Sequence, residues 1–235
     1  MANKKLLYHG YRFPPEIISH AVWLHRRFCL SFRDVEDLLA ERGITVSYES
    51  IRQWCNHFGP EYTRTLKKRG GRLDEDWYLD EVFIKIQGEL HYLWRAVDQD
   101  GDTIDILVQK RRNKQAAKRF FRKLLIGQCA SPRRMITDKL KSYLAAHRDV
   151  MPSIPHSTEQ YENNRAEASH EPTLQRERQM RRFKSMKQAQ RFLSVYGVVN
   201  NLFRLGRHLL RACHYRMFRT KAFSEWQWVT CAYFT

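Results

Sequence analysis

The stretch that decides the fold is Trp77-Tyr78-Leu79-Asp80-Glu81-Val82-Phe83-Ile84-Lys85-Ile86. It is rich in aromatic and β-branched residues that alternate with period two, so it predicts a β-strand. Asp80 shares one face with three β-branched residues, and Glu81 points to the opposite face. A carboxylate on an apolar strand face is costly to bury without a partner. That partner would be a basic side chain or a metal ion.

The charge balance of the chain indicates a polyanionic partner. Among its 235 residues, 42 are Lys or Arg and 25 are Asp or Glu, which gives a formal net charge of +17. Such an excess is the electrostatic footprint of a protein that binds nucleic acid. Hydrophobic residues make up 43% of the chain, which supports a packed core in one large domain or two small ones.

The five cysteines lie far apart in the sequence, and none of them forms a CxxC pair. This odd, scattered set argues against a disulfide framework or a zinc ribbon and is typical of a reducing compartment. The first ten residues contain no long apolar run, so we expect no signal peptide. No stretch approaches the length of a membrane span. We therefore expect a cytoplasmic protein.

Three helical patterns in residues 1–60 predict a helix-turn-helix DNA-binding domain. Ser31, with Asp34 three residues further on, predicts a capping box at the start of the second helix. A short turn containing Gly43 separates this helix from a third helix that starts at Ser47. Gly59-Pro60 is expected to end that third helix. Three short helices also occur in bundles that bind no DNA, and the net charge favours the helix-turn-helix interpretation.

The third helix is the predicted reader of base sequence, and a basic linker is predicted to follow it. Arg, Gln and Asn side chains suit bidentate contacts to base edges, and the candidates are Arg52, Gln53 and Asn56. Residues 61–76 are basic and broken by glycines, which indicates a domain boundary. The candidates there for contacts to DNA phosphates are Lys67, Lys68 and Arg69.

A run of strands and helices predicts an α/β catalytic core over residues 77–184. Tight turns separate three strands of an antiparallel meander, and a basic helix and a fourth strand follow. The predicted ranges are Trp77–Ile86, Leu90–Val97, Thr103–Val108, Asn113–Leu125 and Arg133–Asp138. This order fits an RNase-H-like, retroviral-integrase-like fold. Asp80 in the first strand and Asp138 at the end of the fourth can then meet, provided that those strands are neighbours.

The rest of the chain is helical and strongly basic. Pro172 should break a helix that begins near Asn163, and Ser185 with Gln188 predicts a capping box. Residues 185–235 are expected to form a helical segment that packs on the core. Five further basic residues are candidates for contacts to DNA: Arg176, Arg178, Arg181, Arg182 and Lys184.

Five stretches carry a resemblance to a known family. They are Leu79–Ile86, Tyr92–Asp98, Thr137–Lys139, Asn163–Glu167 and Met180–Ser185. In this order they resemble the DDE transposases of compact bacterial insertion sequences, and most closely those of the insertion-sequence-six family. The resemblance extends over almost the whole chain, including the helix-turn-helix. An ordered series of matches is far more specific than any single carboxylate.

The resemblance implies metal-dependent DNA transposition by a bacterial, cytoplasmic, nucleoid-associated enzyme. The positions that match the family's catalytic and metal-binding triad are Asp80, Asp138 and Glu167. Two Mg²⁺ or Mn²⁺ ions would be the cofactor. The enzyme would bind the terminal inverted repeats of its element, cleave one strand, and use the exposed 3′-OH on target DNA. Because two element ends must be brought together, a homo-oligomer is implied.

Each acid also has a rival interpretation. Asp80 could form a structural salt bridge with an arginine, and Asp138 could cap a helix. For the third acid the rival is Glu171, one helical turn after Glu167. Glu81 is left out of the site, because it points to the opposite strand face from Asp80.

The spacing of the acids keeps a second function open. Between Asp80 and Asp138 lie 57 residues, but 28 lie between Asp138 and Glu167, a shorter spacing than that of several family members. A deletion there would leave a decayed transposase that only binds DNA. A nuclease for RNA–DNA hybrids is a third interpretation. The helix-turn-helix argues against it, because that motif reads the major groove of B-form DNA.

Overall fold

The computed structural model describes residues 7–69, 76–128, 131–159, 183–205 and 209–232. The chain forms two compact units: a helical unit of residues 1–70 and 198–235, and a sheet unit of residues 71–197. Across the described ranges, no helix has both the length and the apolar character needed to cross a membrane.

The elements are numbered in chain order. The helices are α1 (Pro15–Phe28), α2 (Phe32–Ala40), α3 (Tyr48–Arg69), α4 (Lys114–Gln128), α5 (Lys141–Val150), α6 (Met186–Phe203) and α7 (Ala212–Thr230). The strands are β1 (Trp77–Ile86), β2 (Glu89–Val97), β3 (Thr103–Gln109), β4 (Met135–Thr137) and β5 (His156–Ser157).

The sheet unit has the strand order β3-β2-β1-β4-β5. The first three strands pair antiparallel, as the meander prediction required. Strand β4 then pairs parallel with β1, and β5 pairs parallel with β4. An antiparallel meander extended by parallel strands beside β1 is the sheet arrangement of RNase-H-like proteins, so the predicted fold class is confirmed.

The main core of the sheet unit lies between the sheet and helices α4 and α5. Trp77 and Trp94 are fully buried there together with Phe120 and Tyr143. The rings of Trp94 and Tyr143 meet edge to face, with their centroids 5.3 Å apart. Full burial of such a side chain contributes about 1.5–3 kcal/mol, so this cluster fixes α5, the helix that begins just after Asp138.

Helix α6 covers the outer edge of the sheet at β3. The side chain of Gln190 accepts a hydrogen bond from the Val108 N–H at 2.8 Å and donates one to the Ile106 carbonyl at 3.1 Å. Gly197 permits the close approach, because a Cβ atom there would lie 3.1 Å from Cγ2 of Thr103. Backbone groups of an edge strand are thereby paired, and β1 with Asp80 lies in the middle of the sheet.

The helical unit begins with α1, α2 and α3, which match the three predicted helices. The Ser31 side chain accepts from the Asp34 N–H at 3.1 Å, and the Asp34 carboxylate accepts from the Ser31 N–H at 2.8 Å. This is the capping box expected at the start of α2. After α2, Gly43 turns the chain at φ +75°, a backbone region in which glycine is favoured. The turn brings the chain to α3.

Helix α3 does not end at Gly59-Pro60, so that prediction was wrong. The helix continues to Arg69, and residues 61–69 of the predicted linker are therefore helical. The Thr63 hydroxyl donates to the Gly59 carbonyl at 2.9 Å. The buried stripe of the helix runs through the proline with Phe58, Tyr62 and Leu66. Burial of three large side chains offsets the cost of an interior proline, about 3 kcal/mol.

The C-terminal helix α7 groups with the helical unit, whereas the sequence predicted that residues 185–235 pack on the catalytic core. Trp226 contacts the ring of Tyr62 edge to face at 5.4 Å, and Phe223 contacts Trp23 at 5.3 Å. These aromatic side chains supply apolar surface to α1 and α3. Helical periodicity predicts that a helix has an apolar face, but it does not identify the partner of that face.

The buried His25 makes the helical unit sensitive to acid. Its Nδ1 lies 2.7 Å from the Leu30 carbonyl, so Nδ1 carries the hydrogen. Burial lowers the pKa of His25 to about 3, whereas in the unfolded chain the pKa is near 6.5. The unfolded state therefore binds one more proton between these values. We expect the free energy of unfolding to fall by about 1.4 kcal/mol per pH unit as the pH drops below 6.5.

Urea unfolding at a series of pH values from neutral to 4 measures this dependence. The His25→Gln variant keeps a donor for the Leu30 carbonyl but does not titrate. The slope of its unfolding free energy against pH should therefore be smaller by about 1.4 kcal/mol per pH unit. An identical slope in the wild type and the variant would contradict the assignment.

Candidate active site

The register between β1 and β4 brings two of the predicted acids together. The parallel ladder pairs Leu79 with Thr137, so Asp80 and Asp138 are the next residues along two adjacent strands. Neighbouring strands are about 4.8 Å apart. Tyr78 and Ile136, two positions earlier on each strand, are buried in one cluster. The two carboxylates therefore start from neighbouring backbone positions.

Asp80 is buried in the sheet, with 8% of its surface exposed. Arg95 lies directly opposite it on β2 and is itself buried. On the other side of β1, Asp138 follows the last residue of β4. The register thus places both candidate partners of Asp80 beside it. One is the basic side chain of Arg95, and the other is Asp138, a second acid that could share a metal ion.

Asp138 has one oxygen in the local backbone structure and one that faces the site. Its Oδ1 accepts the Leu140 N–H at 3.0 Å, just before α5 begins. Its Oδ2 lies 3.6 Å from Nη2 of Arg112. Asp138 is therefore not the N-cap of α5, because Leu140 holds that position and its side chain makes no capping hydrogen bond. The bond to the Leu140 N–H still occupies one of the two carboxylate oxygens of Asp138.

Glu81 belongs to the same group of charges, although strand alternation excluded it. Its side chain is 2% exposed and forms an ion pair with Arg112. The pKa of Glu81 is raised to about 7; burial is the largest cause, the nearby Asp138 and Asp80 also raise the pKa, and Tyr143 and Arg112 lower it. Asp138 lies beyond the end of β4, so the pleat of the sheet does not separate it from Glu81.

The signal for Glu81 and Arg112 in the sequence was weak. Glu81 is a second ionisable residue directly after Asp80, in the buried first part of β1. Arg112 lies between the end of β3 and the start of α4, in a run of basic residues that reads as solvent-exposed. No periodic pattern connects the two positions, because the loop that carries Arg112 has no repeating structure.

Among the predicted site residues that follow β5, only Lys184 lies in the described part of the chain. Lys184 is exposed, and its N–H donates to the Gln188 side chain at 2.7 Å, next to the predicted Ser185 cap. Residues 160–182 lie outside the described ranges, and they include Glu167, Glu171, Arg176, Arg178, Arg181 and Arg182. Within the described part, no three His, Cys, Asp or Glu side chains are grouped as a metal site would require.

Comparisons with known proteins identify the family. A family model described as "DDE domain" matches residues 74–205. The transposase of insertion sequence-like element IS431mec from Staphylococcus aureus is 34% identical over 164 residues, which is 68% of this chain and 73% of that protein. The transposase of insertion sequence element IS257 in transposon Tn4003, also from Staphylococcus aureus, is 33% identical over the same length. The chain belongs to the DDE transposases of the insertion-sequence-six family.

A solved structure gives a more distant likeness. The catalytic domain of the Mos1 mariner transposase aligns with 75% of this chain and 95% of its own, at 16% identity and a TM-score of 0.43.

Family membership confirms the predicted function of this chain, DNA transposition by a polynucleotidyl transferase. The family as a whole acts on DNA and uses divalent metal ions.

In this transposase, the predicted reader residues lie on the surface of α3. Arg52 and Gln53 are exposed, and Asn56 is half-buried. The Glu49 carboxylate accepts from both Nε and Nη2 of Arg52, at 2.8 and 2.5 Å. Gln53 donates to the same carboxylate at 3.4 Å. Glu49 thus pairs with the Arg52 guanidinium at the exposed surface of α3.

The three basic residues at the end of α3 have unequal surroundings. Lys67 and Lys68 are exposed, as a phosphate contact requires. Arg69 stacks over the Trp228 ring, with Cζ 3.7 Å from the ring centroid, and forms an ion pair with Glu225. Arg69 therefore connects α3 to α7 within the helical unit.

We expect Arg69→Ala to lower the stability of the helical unit. Loss of the cation–π and ion-pair contacts should cost about 1 kcal/mol, measured by urea unfolding. Lys68→Ala is the matched control, because Lys68 is exposed beside Arg69, and it should leave stability within about 0.5 kcal/mol. Equal stabilities of the two variants would show that the Trp228 contact contributes nothing.

Proposed function

We propose that this transposase cleaves and joins DNA with Asp80, Asp138 and Glu167 as its catalytic, metal-binding acids. The observation that carries the proposal is the parallel pairing of β1 and β4, which sets Asp80 beside Asp138. Glu167 would reach the same place from the segment after β5. The substrates would be the terminal inverted repeats of the element and its target DNA.

The chemistry of this place suits a divalent cation. Carboxylate oxygens are the ligands that Mg²⁺ and Mn²⁺ prefer. Asp80, Glu81 and Asp138 concentrate negative charge, and the raised pKa of Glu81 is a direct consequence of burial and of that concentration. A pair of such ions, when bound, activates the attacking oxygen and stabilises the leaving oxygen of a phosphoryl transfer.

The protein's own residues would then hold the metal ions and bind the DNA phosphates. Asp80, buried in a central strand, would supply a carboxylate with little freedom to move. Asp138 would turn its Oδ2 to the site while its Oδ1 stays on the Leu140 N–H. The basic residues Arg176, Arg178, Arg181, Arg182 and Lys184 would bind the phosphates that flank the scissile bond. A water, and then a 3′-OH, would be the attacking groups.

The helical unit would select the DNA. In this proposal α3 enters the major groove and Arg52, Gln53 and Asn56 read base edges, while Lys67 and Lys68 contact phosphates. The N-terminal helices and the core thus divide recognition and chemistry between two domains. Two copies of the chain would meet when two element ends are paired. The enzyme would work in the bacterial cytoplasm, close to the nucleoid.

One observation favours a second function, DNA binding without catalysis. The 28 residues between Asp138 and Glu167 are fewer than in several members of the family, and a deletion there would separate the third acid from the other two. Purified protein with labelled element ends and Mg²⁺ distinguishes the two functions. Strand transfer supports the active enzyme, and end binding without any cleavage supports the decayed one.

We expect Asp80→Asn and Asp138→Asn each to abolish cleavage and strand transfer. Each change keeps the shape of the side chain but removes the charge that would hold the metal. Binding to element ends, measured by gel shift, should persist, because the predicted reader lies in another part of the chain. Glu167→Gln should be equally inactive, and Glu171→Gln should retain activity. Activity in Glu167→Gln with inactivity in Glu171→Gln would move the third acid by one helical turn.

We expect Arg52→Ala and Gln53→Ala to reduce discrimination between element ends and random duplex. Each lost bidentate contact should cost about 1–3 kcal/mol on the specific site. Lys68→Ala should instead weaken binding to both DNAs and reduce the slope of log affinity against log salt by about one. Fluorescence anisotropy over a salt series measures both effects. A uniform loss on both DNAs in the Arg52 and Gln53 variants would show that α3 is not the reader.

A further inference from the structure

A single guanidinium nitrogen lies between two of the acids. Nη2 of Arg112 forms an ion pair with Oε1 of Glu81 and lies 3.6 Å from Oδ2 of Asp138. The Arg112 guanidinium carbon also lies 5.8 Å from the centroid of the Phe83 ring. Arg112 thus lies close to Glu81, Asp138 and Phe83, and its side chain is one-third exposed. It sits where a cation would balance the charge of the acidic group.

The two ion pairs of Arg112 differ in how readily they can break. The Glu81 side chain is 2% exposed, and its Oε2 atom is buried. Loss of Arg112 would break a buried ion pair and leave Glu81 either as an unpaired buried charge or as a protonated carboxyl, and both are less favourable than the pair. Asp138 is 36% exposed and its contact is longer, so water can replace Arg112 there at little cost.

We propose that Arg112 is a built-in counter-ion, a positioning residue that holds the acidic group together before metal binds and releases Asp138 when metal binds. Glu81 is the permanent anchor of Arg112, and Asp138 is the exchangeable partner. The inference rests on the proposed function, because it takes Asp138 as a metal ligand. It assigns roles to Glu81 and Arg112, which are not members of the proposed catalytic triad.

The charge balance explains why such a residue is useful. Without a cation, Asp80, Glu81 and Asp138 repel one another, and the end of β4 would be pushed away from β1. Arg112 reduces that repulsion while the protein is free of metal. A divalent ion brings more charge to the same oxygens and competes with Arg112 for Asp138. The Phe83 ring and Glu81 would keep the guanidinium nearby, so the exchange needs only a small movement.

The test measures metal binding and stability in the full-length protein. Arg112→Gln removes the counter-ion, Arg112→Lys keeps its charge, and Arg111→Gln is the matched control on the neighbouring, exposed position. Mn²⁺ affinity is measured by titration calorimetry. The thermal midpoint is measured in EDTA and again with saturating Mg²⁺. No substrate and no catalytic turnover are involved.

We expect Arg112→Gln to bind Mn²⁺ about three- to tenfold more tightly than wild type, because the competing charge is gone. Its thermal midpoint should fall in EDTA and recover with Mg²⁺. Arg112→Lys and Arg111→Gln should stay close to wild type. An Arg112→Gln protein with unchanged or weaker Mn²⁺ affinity, or one that is equally destabilised with and without Mg²⁺, would overturn the proposal and leave Arg112 as a structural ion pair.

Failure of the proposed function gives a different result. If wild type binds Mn²⁺ and Asp138→Asn does not, the metal site stands, and only the Arg112 comparison decides this inference. If wild type itself binds no Mn²⁺ or Mg²⁺, the metal site and the counter-ion role are both overturned.

Discussion

The parallel pairing of β4 with β1 is the constraint on which the site depends. Three residue pairs form this ladder, from Trp77 with Met135 to Leu79 with Thr137. A slip of one residue would turn each side chain of β4 to the opposite face and carry Asp138 away from Asp80. The register is held by packing, since Trp77 and Met135 are both buried in the main core. The position of the second acid is therefore a result of hydrophobic burial several residues away.

The acids themselves oppose the packing that positions them. Asp80 and Glu81 are buried, and the pKa of Glu81 is raised because burial and neighbouring carboxylates disfavour its charge. A fold selected for stability alone would replace such residues with apolar ones of similar volume. The ion pair with Arg112 reduces the free-energy cost of burying these acids, and the packing of the aromatic core offsets the remaining cost. Conflict between local electrostatics and global packing is typical of functional sites.

Sequence reasoning succeeded where a periodic pattern or a short-range rule controls the structure. Alternation in Trp77–Ile86 predicted β1, turn residues predicted the meander, and Ser31 with Asp34 predicted the helix start. It failed where distant parts of the chain compete with a local rule. Pro60 lies inside α3 because burial on both sides of it exceeds the cost of a proline. Strand alternation excluded Glu81, because it sets Glu81 on the opposite face from Asp80. That rule does not apply to Asp138, which lies beyond the end of β4.

The helical unit is assembled from the two ends of the chain, and this affects the order in which the protein can fold. The Tyr8 hydroxyl bonds to the Thr230 carbonyl at 2.6 Å across 222 positions of sequence, and to the Tyr62 hydroxyl at 2.7 Å. During synthesis, α1 to α3 leave the ribosome long before α7 exists, so their aromatic surface stays exposed while the sheet unit is made. A gene copy interrupted late in its reading frame would therefore lose part of the core of its helical unit, even though every acid of the candidate site would still be encoded.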